Sequence, residues 1–349
     1  MIVSPLEVHT VEMHTGGEPT RIIVDGWPKL LGKTLLDKRR EAKDRFDHLR
    51  RGLMLEPRGH DGMYGALLVE PDHPEADLGV LFMHNEGFST MCGHATIASA
   101  RWAVESGRVA RSEPETIVRL QCPCGLVTAR VAGDGTVRFE SVPAFAYAID
   151  RIAPTRTWGP VMVDIAYGGA FYAILAADSI GLDLRSSPMR AIVDAGEEIT
   201  RAAAAAIPVE HPDEPDLAFR YGTILTDGGD GANRTPSRNV CIFAGRQIDR
   251  SPTGSGVTAR MALEAARRRA QPGEERLFES CTGAIFSGKL VREAPPVGRR
   301  KSVIVEVGGR AHQTGEARFR LDDDDPLREG FSLGLKALWA RRSAWSRSS

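Results

Sequence analysis

Two segments of the chain place a side chain capable of proton transfer directly before a glycine and a run of small residues. Cys92 opens the segment CGHATIASAR, and Thr253 opens the segment TGSGVTARMA. The Ala-rich sequence that follows each has helical propensity, so both segments predict a helix that begins at the reactive side chain. The similarity between the two segments predicts two related lobes whose helix starts face each other across a cleft.

The start of a helix is suited to binding an anion. The first backbone N–H groups of a helix have no partner within it, and the aligned peptide dipoles place partial positive charge there. Gly93, and Gly254 with Gly256, would let the backbone approach a ligand closely, so we predict a substrate carboxylate between the two helix starts. The same positive end is expected to lower the pKa of the Cys92 thiol toward neutrality and make it a base or nucleophile.

Two further polar residues lie near these helix starts. His94 follows Cys92 by two positions, within reach of a substrate amine or hydroxyl, and Asp249 precedes Thr253 by four positions, where it can pair with a substrate ammonium group. Each residue also has a purely structural explanation. Cys92 could be a small apolar side chain buried in the core, and His94 could cap its own helix. Asp249 could form an ion pair with Arg250 or Arg238.

The length and charge balance of the chain indicate how many domains it has and what kind of partner it binds. A chain of 349 residues is long enough to predict two domains. Its 45 Lys and Arg residues balance 46 Asp and Glu residues, which argues against a nucleic-acid or membrane partner and favours a small molecule. The composition leaves open whether the chain forms a homodimer.

The cysteines and the amino terminus indicate the compartment. The five cysteines have no paired CxxC spacing, and the CxC of Cys122 and Cys124 has no accompanying histidine or acidic cluster, so we predict neither disulfides nor a metal site. The chain lacks a secretory signal and any run of about 20 apolar residues. We therefore expect a cytoplasmic protein in which Cys92 stays a free thiol.

Hydrophobic periodicity gives a coarse secondary structure. Amphipathic helices are predicted at 33–51 and near 188–206, and the remaining apolar runs are short and strand-like. The segment HTGGEPT at 14–20 contains a Gly and Pro cluster and predicts a polar loop that lines a site.

The pattern of strands restarts after Trp158, which suggests where the chain divides. We predict a first lobe at 1–157 that carries Cys92, and a second lobe at 158–325 that carries Asp249 and Thr253. The segment at about 326–340 is expected to pack back on the first lobe.

Four segments resemble signature segments of the proline racemase family and occur in the same order. They are HTGGEPTRI at 14–22, MCGHATIASA at 91–100, AYGGAFYA at 166–173 and DRSPTGSGVTAR at 249–260. The resemblance implies an α+β fold of two pseudo-symmetric diaminopimelate epimerase-like lobes. Each lobe would be a curved, mostly antiparallel sheet around a central helix, with a cofactor-independent active site in the cleft between the lobes.

The chain departs from the racemase pattern at one position, because Thr253 stands where racemases and epimerases of the family have a second cysteine. Inversion at an α-carbon needs one group to remove a proton and another to return it from the opposite face. A threonine hydroxyl is a far weaker acid than a thiol. The resemblance therefore implies a hydro-lyase, trans-3-hydroxy-L-proline dehydratase, that forms 1-pyrroline-2-carboxylate through an enamine.

The resemblance also implies roles for individual residues. Cys92 would remove the α-proton, and Thr253 would hydrogen-bond or protonate the departing hydroxyl, with water or His94 as alternative proton donors. The substrate carboxylate, ring nitrogen and ring substituents would be held by Gly93, His94, Asp249, Gly254 and Ser255. Phe171 or Tyr172 would supply an aromatic wall or simply pack, since adjacent strand residues point to opposite faces.

Two other functions stay open at this stage. An epimerase of 4-hydroxyproline or a racemase of proline would need another group in place of the missing thiol. A non-catalytic amino-acid-binding protein would have no use for the retained Cys92.

Overall fold

The computed structural model describes residues 5–333 of the chain. In this part, 17 strands form one extended, mostly antiparallel network around four α-helices, which confirms the predicted α+β class. None of the helices in the described range is long and apolar enough to cross a membrane.

One group of strands surrounds a helix that begins after Cys92. These strands are β1 (Leu6–Thr15), β2 (Glu18–Asp25), β3 (Tyr64–Val69), β4 (Leu78–His84), β5 (Gly87–Ser89), β6 (Glu115–Cys122), β7 (Gly125–Ala132) and β8 (Thr136–Glu140). The central helix, α2 (Gly93–Glu105), packs against six of them, and α1 (Leu35–Met54) covers the outer side of β4 and β5.

A second group of strands surrounds a helix that begins after Thr253. These strands are β9 (Phe145–Pro154), β10 (Pro160–Tyr167), β11 (Phe171–Ala176), β12 (Arg220–Thr226), β13 (Ser237–Phe243), β14 (Gln247–Ile248), β15 (Glu275–Glu279) and β16 (Ile285–Val297). The central helix, α4 (Gly254–Ala266), packs against β9, β10, β11 and β16, while α3 (Met189–Ala206) packs against β9, β12 and β13.

The longest strand, β17 (Arg300–Leu321), connects the two groups. It pairs with β16 over its first part, with β8 in the middle and with β1 over its last part. Both α2 and α4 pack against it, and one cluster of buried apolar side chains continues through both groups of strands. The central helices consequently share one core rather than two separate ones.

The strand pairing bears on where the lobes divide. The predicted boundary at 157 falls in the hairpin between β9 and β10, whose pairing runs from Pro154 opposite Pro160 to Phe145 opposite Tyr167. We propose that the second lobe begins with β9 and that β17 contributes to both lobes.

The end of the described chain lies against α1 and the residues after it. Phe331 forms a β-bridge with Glu56, and Glu329 forms an ion pair with Arg51 at the end of α1. Residues 334–340, for which packing on the first lobe was also predicted, lie outside the described residues.

The sequence predicted the two outer helices, α1 and α3, correctly, but it did not predict the turn between β1 and β2. The predicted helices correspond to α1 and α3, and α1 starts with a capping box between Thr34 and Asp37. The prediction of a loop at 14–20 was wrong, because β1 continues to Thr15 and β2 begins at Glu18. Gly16 and Gly17 alone make the turn, with φ of 63° and 91° that glycine adopts without steric cost.

The starts of α2 and α4 meet backbone to backbone. A Cβ atom added to Gly93 would lie 2.5 Å from Gly254 Cα and 3.0 Å from Ser255 N. A Cβ atom added to Gly254 would lie 2.8 Å from Gly93 Cα. The structure thus brings the two helix starts together across the lobe junction, as the similarity between the two segments predicted.

This contact predicts that Gly93→Ala destabilises the protein by about 1–3 kcal/mol, because the added methyl group overpacks backbone that cannot rotate away. Gly133→Ala is the matched control, since nothing lies within 4 Å of a Cβ at that position. Urea unfolding of both variants measures the difference. Equal free energies of unfolding for the two variants would show that the helix starts are not in tight contact.

Candidate active site

Cys92 is the N-cap residue of α2 and lies at the junction of the helix starts. Its Sγ atom accepts the N–H of Ala95 at 3.4 Å and lies 3.2 Å from Nδ1 of His94. The side chain is only 2% exposed. Cys92 therefore lies at the positive end of a helix, as predicted, and it also contacts His94, which was not predicted.

The ionisation of Cys92 differs from the prediction. Burial raises the pKa of the Cys92 thiol well above its usual range, although the N–H of Ala95 acts in the opposite direction. The prediction of a pKa lowered toward neutrality was wrong, because removal of the thiolate from water outweighs the positive end of the helix. A positive charge that entered the site would favour the thiolate form of Cys92.

His94 is a neutral hydrogen-bonding group. Burial lowers the pKa of His94 to about 3, so its imidazole carries no charge at neutral pH. Its ring packs edge-on against Tyr64 with a centroid distance of 4.7 Å, and its carbonyl oxygen accepts a hydrogen bond from the Thr15 hydroxyl at 2.9 Å. These contacts hold His94 at the start of α2 beside the Cys92 thiol.

Thr253 is the N-cap residue of α4, but its side chain makes no capping hydrogen bond to the helix. Its backbone has φ of 65°, which is uncommon for a β-branched residue. Its N–H donates to Oγ of Ser251 at 3.1 Å, and its buried hydroxyl lies close enough to the Asp249 carboxylate to lower the pKa of Asp249. The Thr253 hydroxyl therefore stands beside Asp249 and makes no capping hydrogen bond to α4.

Asp249 lies beside Thr253 with its carboxylate buried. Burial raises the pKa of Asp249 to about 6, and hydrogen bonds from Ser251 oppose that rise; one of them, from the Ser251 N–H to Oδ1, measures 2.8 Å. The structural alternatives for Asp249 do not apply, because Arg238 pairs with Glu279 and Arg250 pairs with Glu18. Asp249 is a largely ionised carboxylate at neutral pH, without an ion pair in the described part of the chain.

The adjacent aromatic residues Phe171 and Tyr172 of the AYGGAFYA segment point to opposite faces of their strand. The hydroxyl of Tyr172 lies 2.6 Å from Oγ of Ser255 at the start of α4. The ring of Phe171 instead packs on Tyr167 with a centroid distance of 4.8 Å. Tyr172 therefore faces the helix starts, and Phe171 belongs to the core.

Three residues near the helix starts were not predicted. Tyr64 contacts His94 and lies 2.6 Å from Oγ of Ser89, and Tyr221 packs against Tyr172 with a centroid distance of 5.3 Å. The two tyrosines stand in apolar strand segments and carry no local motif. Only their burial beside the helix starts identifies them.

Glu18 is the third such residue, and it connects the two lobes. Its side chain is fully buried, and Oε2 accepts the backbone N–H of Arg250 at 2.8 Å and the guanidinium of Arg250 at 3.4 Å. Burial raises the pKa of Glu18 well above its usual range, and the charge of Asp249 raises it further. The segment 14–20 was predicted to line a site, but nothing in it singled out Glu18.

Comparisons with known proteins identify the family of the chain. The family model described as proline racemase matches residues 10–332. The chain is 54% identical over 332 residues to human trans-3-hydroxy-L-proline dehydratase, covering 93% of this chain and 94% of the relative. It is 44% identical over 326 residues to a 3-hydroxyproline 2-epimerase from Burkholderia multivorans, covering 92% and 97% of the two chains.

A solved structure shares the same fold. A hydroxyproline epimerase from Agrobacterium vitis, with bound trans-4-hydroxy-L-proline, superposes with a TM-score of 0.88 at 30% identity. The superposition covers 94% of this chain and 96% of the other. By sequence and by fold, the chain belongs to the proline racemase family.

Proposed function

We propose that the protein is a trans-3-hydroxy-L-proline dehydratase, a cofactor-independent hydro-lyase. One observation carries the proposal: a hydroxyl, that of Thr253, stands at the start of α4 across the junction from the Cys92 thiol. Inversion of an α-carbon needs an acid of suitable strength on each face, and the threonine hydroxyl is too weak for that task. Elimination needs only one base.

The helix starts supply groups that can orient an amino acid. The N–H groups at Gly93, Gly254 and Ser255 belong to the first turns of α2 and α4, where a carboxylate is favoured. Asp249 offers a negative charge for the ring nitrogen, and neutral His94 offers a hydrogen bond. The substrate carboxylate would lie at the positive ends of the two helices, and the substrate ammonium group would lie beside the Asp249 carboxylate.

Substrate binding provides the positive charge that Cys92 requires. A buried thiolate is disfavoured in isolation, but a substrate ammonium group nearby lowers the pKa of the thiol by opposing charge. The Cys92 thiolate then removes the α-proton, the C–H electron pair forms a double bond between C2 and C3, the C3–O bond breaks, and the departing oxygen takes up a proton from a donor in the site and leaves as water. The resulting enamine isomerises to 1-pyrroline-2-carboxylate.

The relatives support this proposal without excluding an epimerase. The human relative is named for the dehydration of trans-3-hydroxy-L-proline, whereas the Burkholderia multivorans relative is named for epimerisation of 3-hydroxyproline. Both activities begin with the removal of the α-proton. They differ in whether a second acid returns a proton to the other face.

A substrate panel tests the function. The purified protein is incubated with trans-3-hydroxy-L-proline, trans-4-hydroxy-L-proline and L-proline, and pyrroline formation and optical rotation are followed. We expect pyrroline from the first compound alone. A change in rotation with 4-hydroxyproline or proline would show an epimerase or racemase, and binding without any reaction would show a non-catalytic binder.

Replacement of the base tests the mechanism. Cys92→Ser is expected to lower kcat for dehydration by about 10²–10⁴-fold, the usual contribution of a positioned general base. Cys124→Ser, which changes a half-buried thiol elsewhere in the first lobe, serves as the control and should retain wild-type kcat. Wild-type activity in Cys92→Ser would contradict the mechanism.

The role of Thr253 gives a second prediction. Thr253→Cys restores an acid on the second face, so we expect epimerisation of 3-hydroxyproline at least about tenfold above the wild-type level. Thr258→Cys is the matched control, because Thr258 lies one turn along α4 and its hydroxyl bonds the Gly254 carbonyl. Chiral chromatography of the remaining substrate measures the effect. Absence of the new activity in a folded, substrate-binding Thr253→Cys protein would show that more than the threonine prevents inversion.

The pKa of Asp249, raised to about 6 by burial, predicts an acid limb in the pH profile. The ionised form binds the substrate ammonium, so kcat/KM should fall as pH drops through about 6 and should be sustained above it. In Asp249→Asn this inflection should disappear. We also expect kcat/KM to fall by about 10–100-fold at pH 8, because the variant loses a charge-assisted hydrogen bond to the substrate. An unchanged inflection in the variant would assign it to another group.

A further inference from the structure

The stereochemistry of the proposed substrate restricts where the leaving hydroxyl can receive its proton. In trans-3-hydroxy-L-proline the hydroxyl and the carboxylate lie on opposite faces of the ring, so the α-hydrogen and the hydroxyl share a face. A base that removes the α-hydrogen therefore approaches from the face that carries the hydroxyl. In the proposed binding mode the substrate lies between the two helix starts, so Thr253, across the junction from Cys92, would face the other side of the ring. The proton donor is consequently expected on the Cys92 side.

His94, Tyr64 and Glu18 are titratable side chains of the first lobe that lie near the start of α2. His94 is neutral, since burial lowers its pKa to about 3, and a neutral imidazole N–H is a very weak acid. Tyr64 is a weak acid as well, because burial raises its pKa well above the usual range. Glu18 is the only one of them that carries a carboxyl group, and it begins β2 just after the turn that follows Thr15, whose hydroxyl bonds the His94 carbonyl oxygen at 2.9 Å.

The contacts of Glu18 fit a proton donor. Its Oε2 is fixed by two hydrogen bonds from Arg250, so the carboxyl group has a defined orientation. Its Oε1 is buried and has no hydrogen-bond partner among the described residues. A fully buried carboxyl group beside the charge of Asp249 favours the protonated form, and a protonated Oε1 would present an O–H donor with no competing acceptor.

We propose that Glu18 is the catalytic acid that protonates the departing 3-hydroxyl; this rests on the proposed dehydratase function. Cys92 takes the α-proton, the C–H electron pair becomes the bond between C2 and C3, and the C3–O bond breaks. The departing oxygen takes the proton from Glu18 and leaves as water. Glu18 ends as a carboxylate and Cys92 as a thiol, and transfer of the thiol proton to Glu18 restores both groups.

The test compares two leaving groups. Chloride departs without a proton, so trans-3-chloro-L-proline needs the base but not the acid. For Glu18→Gln we expect kcat with trans-3-hydroxy-L-proline to fall by at least about 100-fold, while elimination of chloride stays within about threefold of wild type. Glu18→Asp, which keeps an acid but shortens the side chain, should give intermediate activity on the hydroxylated substrate.

Glu12→Gln is the matched control, because Glu12 is a carboxylate of the same lobe that is paired with an arginine, Arg21, on the neighbouring strand. It should leave both reactions within about twofold of wild type. An equal fall of both reactions in Glu18→Gln would assign Glu18 a structural role and overturn the proposal, as would full activity on both substrates. A wild-type protein that eliminates from neither substrate would refute the dehydratase function itself.

Discussion

The close approach of two helix starts is the constraint on which the rest of the structure depends. Gly93 and Gly254 let the backbones of α2 and α4 come within a distance that no Cβ atom would allow. The first-turn N–H groups of both helices are thereby brought close together, and such helix starts favour an anionic group. The surrounding strands, with β17 running past both helices, hold this contact between the lobes.

Exclusion of water governs the chemistry of the site. Burial raises the pKa values of the Cys92 thiol and of the Asp249 and Glu18 carboxyls, and it lowers that of His94. Each shift disfavours the charged form of an isolated group. A zwitterionic substrate would supply the missing charges, and the same low dielectric would strengthen its attraction to the helix starts and to Asp249. The reactivity of Cys92 would then be coupled to occupation of the site.

The two capping residues share a position in the fold and differ in their chemistry. Cys92 accepts a hydrogen bond from its own helix, whereas the Thr253 hydroxyl is turned away from its helix by a left-handed backbone. Related proteins that the chain resembles are named as dehydratases and as epimerases, so a common scaffold serves both reactions. We propose that the side chain at the second helix start is the physical basis for that divergence.

The sequence by itself determined those features that depend on neighbouring residues. The helices α1 and α3, the helix starts at Cys92 and Thr253, and the positions of His94 and Asp249 follow from local propensity, glycine placement and spacing. Tertiary structure decided the rest. Glu18, Tyr64 and Tyr221 come from distant strands, and no local pattern marks them as neighbours of Cys92. The pKa of Cys92 could not be predicted from the sequence either. The helix start is encoded locally, whereas the loss of water around the thiol arises only when both lobes pack together.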